Sequence, residues 1–174
     1  MSHTVTLGAS GEPRSAAALS PALLNRPEER RARIEVTAPT RRFLVTLGDR
    51  PFEVGVVGDE PDWLYPVLGD LKRFTEHELN WDSYGGLPLT FQAGYAGLDL
   101  LARILPSDAP APAVVPTTDG GLQFEWHTPS GDLEIEVSGN GLMSADFEGV
   151  GGEAWQLDHS QIFDGRLQNA VSQV

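Results

Sequence analysis

The chain has 174 residues, 40% of them apolar, no cysteine and a formal net charge of -13, which fits one globular domain with or without a tail. The lack of Cys excludes disulfides, thiolate catalysis and Cys-ligated zinc or iron–sulfur centres, and suits a reducing, cytoplasmic setting. Charge is uneven: residues 1–50 hold eight Arg against five acids (+3), residues 51–174 four Lys or Arg against twenty (-16), a body that repels nucleic-acid phosphates and attracts basic protein.

In chain order, Met1 to Leu24 has no basic stretch leading into a long apolar one. Its most apolar piece, Ala16 to Leu24, is interrupted by Ser20 and Pro21, so neither a signal peptide nor a membrane span is expected. Residues 1–32 are rich in Gly, Pro, Ala, Ser and Arg and are expected to form a flexible arm, with a short helical piece near Glu28 to Arg33; residues 33–174 form the single folded domain. Ile34 and Val36 begin a period-two alternation. It continues through Phe43, Val45 and Leu47 and, after Gly48-Asp49-Arg50-Pro51, through Phe52, Val54 and Val56. With those four residues as the loop, a hairpin over 43–57 sets Leu47 against Phe52, Val45 against Val54 and Phe43 against Val56.

Two helices follow. Asp59-Glu60-Pro61-Asp62 signals the start of the first, with Pro66 an alternative first turn, and Leu64, Val67, Leu68, Leu71 and Phe74 carry it to about Leu79. Residues 80–88 read as a loop. Thr90 is the candidate N-cap of the second helix, which reaches Leu105 with a stripe of Tyr95, Leu98, Leu101 or Ala102, and Leu105; Gly94 and Gly97 inside it imply a closely packed neighbour. Pro106 to Pro112 is a spacer.

Next comes a meander over 122–147, in which Leu122, Phe124 and Trp126, then Leu133, Ile135 and Val137, then Met143, Ala145 and Phe147 alternate with polar residues. A two-residue loop at Ser130-Gly131, or a four-residue loop from Pro129 to Asp132, predicts Trp126 against Ile135, Glu125 against Glu136 and His127 against Glu134. A three-residue loop Gly139-Asn140-Gly141 predicts Ile135 against Ala145 and Glu134 against Asp146. Asp158 to Val171 is expected to form a short terminal helix broken or weakened at Gly165. The whole is an α+β fold: an antiparallel sheet of about five strands, in one or two segments, packed on one face by the two central helices.

This pairing gathers Glu125, Glu134, Glu136 and Asp146 around His127 and Ser144 on the face opposite the apolar set. Like charges directly across a ladder destabilise it. The face is then a solvated surface, or it awaits a cationic partner: a basic protein, or the chain's own Arg30, Arg31, Arg33, Arg41 and Arg42. A metal is a further alternative, because hard cations take clustered oxygens, but a flat sheet face does not wrap an ion. The four His lack HExxH spacing, and the chain lacks GxSxG, GxGxxG and P-loop patterns, so no catalytic residue, metal site or cofactor is expected.

Asn80-Trp81-Asp82-Ser83-Tyr84-Gly85 and Pro116-Thr117-Thr118-Asp119-Gly120-Gly121-Leu122-Gln123-Phe124-Glu125-Trp126 together resemble small bacterial proteins that share N-W-D-x-Y-G and P-T-x-D-G-G-x-x-x-E-W segments; the resemblance covers roughly residues 64–147 and implies no particular activity. Trp81 and Trp126 read as packing anchors, and Asp82 and Asp119 as turn-setting acceptors. Alternatively Trp81, Asp82, Tyr84, Asp119 and Glu125 meet where loop joins sheet and form a recognition site.

The expectation is a non-enzymatic binding or regulatory protein whose acidic surface, with Glu125, His127, Glu134, Glu136 and Asp146, engages a basic protein in the manner of an antitoxin or immunity protein. Its folded body binds neither nucleic acid nor membrane. The alternatives are a small-ligand binder or enzyme built on the Trp81–Tyr84 loop with Asp119 and Glu125, and a subunit that self-associates through the N-terminal arm.

Overall fold

Alternating side chains drive the strands into two antiparallel sheets. The structure, a computed structural model, describes residues 4–9 and 40–173. The first sheet joins β1 (Thr4–Ala9), β2 (Thr40–Leu47) and β3 (Arg50–Val57) in the order β1-β3-β2. Two helices, α1 (Leu64–Thr75) and α2 (Phe91–Ile104), precede the second sheet. That sheet runs in sequence order through β4 (Ala113–Pro116), β5 (Leu122–Thr128), β6 (Gly131–Val137), β7 (Met143–Gly149) and β8 (Ala154–Leu157). A 3-10 turn (His159–Gln161) and α3 (Gly165–Val171) close the chain, the Asp164 carboxylate capping α3 through Arg166 N at 2.8 Å. No helix among the described residues is long and apolar enough to cross a membrane.

The α+β class and antiparallel pairing are as expected, and the hairpin and the meander fall in separate sheets. Strands β4 and β8 extend the meander at both edges. The arm expected over 1–32 opens with strand β1, whose Val5 and Leu7 pack on the core while Thr6 faces out. The expected helical piece at Glu28 to Arg33 and the alternation at Ile34 and Val36 lie outside the described residues.

Two registers shift by two residues. Gly48-Asp49 alone forms the hairpin turn, with Gly48 at φ 61°, so Val45 pairs with Phe52 and Phe43 with Val54; glycine at the first central position is the two-residue II′ solution. Pro129-Ser130 likewise turns β5 into β6 and pairs Trp126 with Leu133, Glu125 with Glu134 and His127 with Asp132. A shift of two preserves which face each side chain takes, so every apolar residue stays inside. The β6–β7 register is the expected one, Ile135 opposite Ala145 and Glu134 opposite Asp146.

Helix α2 is wedged between the sheets. A Cβ on Gly94 would lie 2.8 Å from Leu47 of the first sheet, and one on Gly97 3.1 Å from the Phe124 ring of the second. These contacts account for two glycines in a helix interior. Phe52 meets Tyr95 edge-on at 5.5 Å, extending the contact to the first sheet. Helix α1 buries Leu64, Val67, Leu71 and Phe74, with Pro66 in its first turn, where a missing N–H leaves no helical bond unmade. It stops at Thr75, four residues short of Leu79, which is 71% exposed and has no core to reach. The Trp63 indole donates to Pro106 O at 3.1 Å and the Trp126 indole to Pro110 O at 3.3 Å, fastening the 106–112 spacer to the core.

Candidate binding face

Because the inner face of the second sheet is filled by Leu122, Phe124, Trp126, Leu133, Ile135, Val137, Ala145 and Phe147, the alternate residues point to solvent. Glu125 on β5, Asp132, Glu134 and Glu136 on β6, and Asp146 and Glu148 on β7 thus share one face. Glu134 lies between Glu125 and Asp146 on neighbouring strands, and Asp132 lies opposite Glu148. Asp132, Glu134, Asp146 and Glu148 line an open groove of ≈ 290 Å³.

The groups that temper this face are neutral amides and one imidazole. Gln123 donates to Glu134 Oε2 at 2.8 Å, and Gln156 donates to Asp146 Oδ1. His127 Nδ1 lies 2.9 Å from Asp132 and its Nε2 3.5 Å from Glu125. The hydrogen bond to Asp132, with the charges of Asp132 and Glu125, raises the His127 pKa above the ordinary imidazole value against a smaller opposing effect of burial. The Arg ion pairs, Arg41–Glu60, Arg42–Glu53, Arg73–Asp70, Arg103–Asp99 and Arg166–Asp164, all form elsewhere. Arg41 and Arg42 therefore do not neutralise this surface, and Arg30, Arg31 and Arg33 lie outside the described residues. Among the described residues no group of three or more His, Asp or Glu is arranged to hold a metal ion; side chains two apart on a strand stand about 7 Å from one another.

Glu125, His127, Glu134, Glu136, Ser144 and Asp146 thus fall on one face as expected, while His127 faces Asp132 rather than Glu134, and Glu136 faces Gln123 rather than Glu125. Asp132 and Glu148 were not singled out from the sequence, although each shares the parity of an acid already placed on that face.

The two segments of the resemblance also meet. Leu87 N donates to Thr118 O at 3.0 Å and Thr90 N to Gly120 O at 2.9 Å, joining the 80–88 loop to the 117–121 turn. Asp82 Oδ1 accepts from Tyr84 N and Gly86 N, both at 2.8 Å; these bonds hold its carboxyl below the usual carboxylate range. Its Oδ2 is buried without a hydrogen-bond partner. The Trp81 indole donates to Leu87 O at 3.1 Å and its ring packs on His77, 4.8 Å between centroids. Asp119 accepts from Thr117 Oγ1 at 2.6 Å, Gly121 N at 3.0 Å and Gly139 N at 2.8 Å. Burial alone would raise its pKa, but these three bonds prevail and lower it. Trp81, Asp82 and Asp119 hold turns together, Tyr84 stands 92% exposed, and Glu125 belongs to the acidic sheet face with His127. An Asp82 that serves its own loop weighs against a ligand site there.

The chain matches no protein-family model, no curated protein and no solved structure.

Proposed function

We propose that this is a non-enzymatic binding or regulatory protein whose acidic sheet face docks a basic protein, as antitoxins and immunity proteins neutralise a partner. The observation that carries the reading is the chain of like charges Glu125–Glu134–Asp146 across three adjacent strands, with no Arg or Lys ion pair to any of them among the described residues. Such pairs cost the free protein several tenths of a kcal/mol each, and a cationic partner turns that repulsion into attraction. The face is flat and its groove open, which suits a protein surface better than a small substrate.

The test is capture of a partner from the native host on immobilised protein at ~0.05 M and ~1 M salt, the latter screening charges beyond about 3 Å. Binding is expected to disappear at high salt. It should also be lost at low salt in the Glu134→Lys/Glu136→Lys/Asp146→Lys variant, with the fold monitored by circular dichroism. A partner retained equally at both salt concentrations, or by the charge-reversed variant, overturns the proposal.

A further inference from the structure

The two edges of the second sheet are built differently. Among the described residues β4 and β8 each have one neighbouring strand. Pro112 precedes β4 and Pro116 ends it, and proline, which has no N–H, guards an edge against further pairing. Strand β8 reads Ala154-Trp155-Gln156-Leu157, with no proline and no charge. Gly149 N donates to Glu153 O at 2.7 Å across the turn before it, so that pair is a hydrogen-bonded one and, by alternation, so are Phe147–Trp155 and Ala145–Leu157. Ala154 and Gln156 fall between them and point their N–H and C=O groups away from β7. None of these four groups has a hydrogen-bond partner among the described residues.

The side chains along this edge differ from one face to the other. Ala154 lies opposite Glu148 and Gln156 opposite Asp146, on the acidic face. An open groove of ≈ 370 Å³ is lined by Asp146, Phe147, Glu148, Ala154, Trp155 and Gln156, and shares Asp146 and Glu148 with the groove of that face. On the opposite side the half-buried Trp155 stacks on Phe147 at 5.4 Å, with the Arg166 guanidinium 6.0 Å from its ring. One side of the edge thus attracts cations, and the other is apolar and already holds one.

We propose, resting on the basic-protein reading of the acidic face, that the partner enters at the free edge of β8: an extended segment adds a strand there and carries Lys or Arg at alternate positions. Strand addition supplies the hydrogen bonds that Ala154 and Gln156 do not make within the sheet. Incoming residues opposite Ala154 and Gln156 share their face, and the methyl side chain of Ala154 leaves the line to Glu148 open. The added backbone lies two strand spacings, about 10 Å, from β7, a gap that the long Lys and Arg stems lean across. The residue between two such cations faces Trp155 and is apolar. A second copy of the chain does not suit this edge: antiparallel pairing of two β8 strands joins the acidic faces on one side, and each copy has a net charge of -13.

The probes are two hexapeptides of one composition, Lys-Val-Lys-Val-Lys-Val and Lys-Lys-Lys-Val-Val-Val, added to the full chain at low salt while amide shifts and amide hydrogen exchange are followed by NMR. The alternating peptide is expected to slow exchange at Ala154 and Gln156 and to bind about tenfold more tightly than the block peptide. Ala154→Pro removes one outward N–H and no bond to β7, so it should abolish that preference, whereas Ala154→Ser keeps the N–H and should retain it. Exchange at the two amides of the parent chain decides the matter even where Ala154→Pro does not fold. Equal binding of the two peptides, with shifts at Glu125, Glu134 and Asp146 and unchanged exchange at Ala154 and Gln156, overturns strand addition and leaves the acidic face as the dock. Binding of neither peptide overturns strand addition and counts against the basic-partner reading as well. Exchange at the two amides that slows with protein concentration, before any peptide is added, gives the edge to a second copy and also overturns the proposal.

Discussion

The Asp119 carboxylate accepts from Thr117, Gly121 and Gly139 at once, tying the turn before β5 to the turn after β6. Asp119→Ala strands those donors and is expected to lower unfolding free energy by about 1–3 kcal/mol, measured by urea titration. The folded pKa of Asp119 lies below its unfolded value, so its contribution is complete above about pH 4 and is lost as pH falls through the folded pKa. Asp119→Asn should therefore flatten the acid limb of the stability profile. His127 has the opposite sign. Its pKa is raised, so what its pairing contributes is complete below about pH 6.5 and is lost as pH rises through the folded value. In an NMR titration the Asp132→Asn variant should move the His127 midpoint down toward the ordinary imidazole value. An unchanged midpoint would show that the 2.9 Å contact with Asp132 does not hold in solution.

At the scale of elements, α2 separates two sheets at the distance of two missing side chains. Gly97→Val places branched carbon where even a Cβ would stand 3.1 Å from the Phe124 ring, itself fully buried. We expect a loss of about 1–3 kcal/mol from overpacking, against the helical gain that replacing glycine normally brings; thermal unfolding that matches the parent would refute the wedge. The sequence already pointed to this contact, because two glycines at helical spacing need a close neighbour. It also identified the Thr90 cap, which accepts from Ala93 N at 3.0 Å, and the β6–β7 register, since a three-residue loop closing on glycine has one geometry. It did not reveal where the neighbour lies, for the pattern of α2 reads as a single stripe while Leu98, Leu100, Leu101 and Ile104 bury more than one side. The hairpin turns at Gly48 and Pro129 close two residues away from where the sequence pattern puts them, because parity leaves such a shift invisible to the apolar pattern. Strands β4 and β8, four residues each, are too short to show a period.

For the whole molecule, the same parity that hid the register error made the acidic face legible: any even shift leaves Glu125, Glu134, Glu136 and Asp146 on the solvent side. What depended on register was the identity of opposed partners, and the observed pairing places Glu134 beside two other carboxylates rather than one and an imidazole. Repulsion is thus concentrated at Glu134, and a test on the isolated protein follows. Glu134→Gln keeps an oxygen to accept from Gln123 and removes one charge between Glu125 and Asp146. It should stabilise the free protein by about 0.5 kcal/mol at low salt, and the gain should shrink as ionic strength rises. On the proposed function, the same substitution should weaken capture of a basic partner, so that stability and binding move in opposite directions. A solvated surface with no binding role would show the first effect without the second. A Glu134→Gln protein no more stable than the parent at low salt would mean that the Gln123 and Gln156 amides already relieve the repulsion, and that the face holds no charge strain for a partner to release.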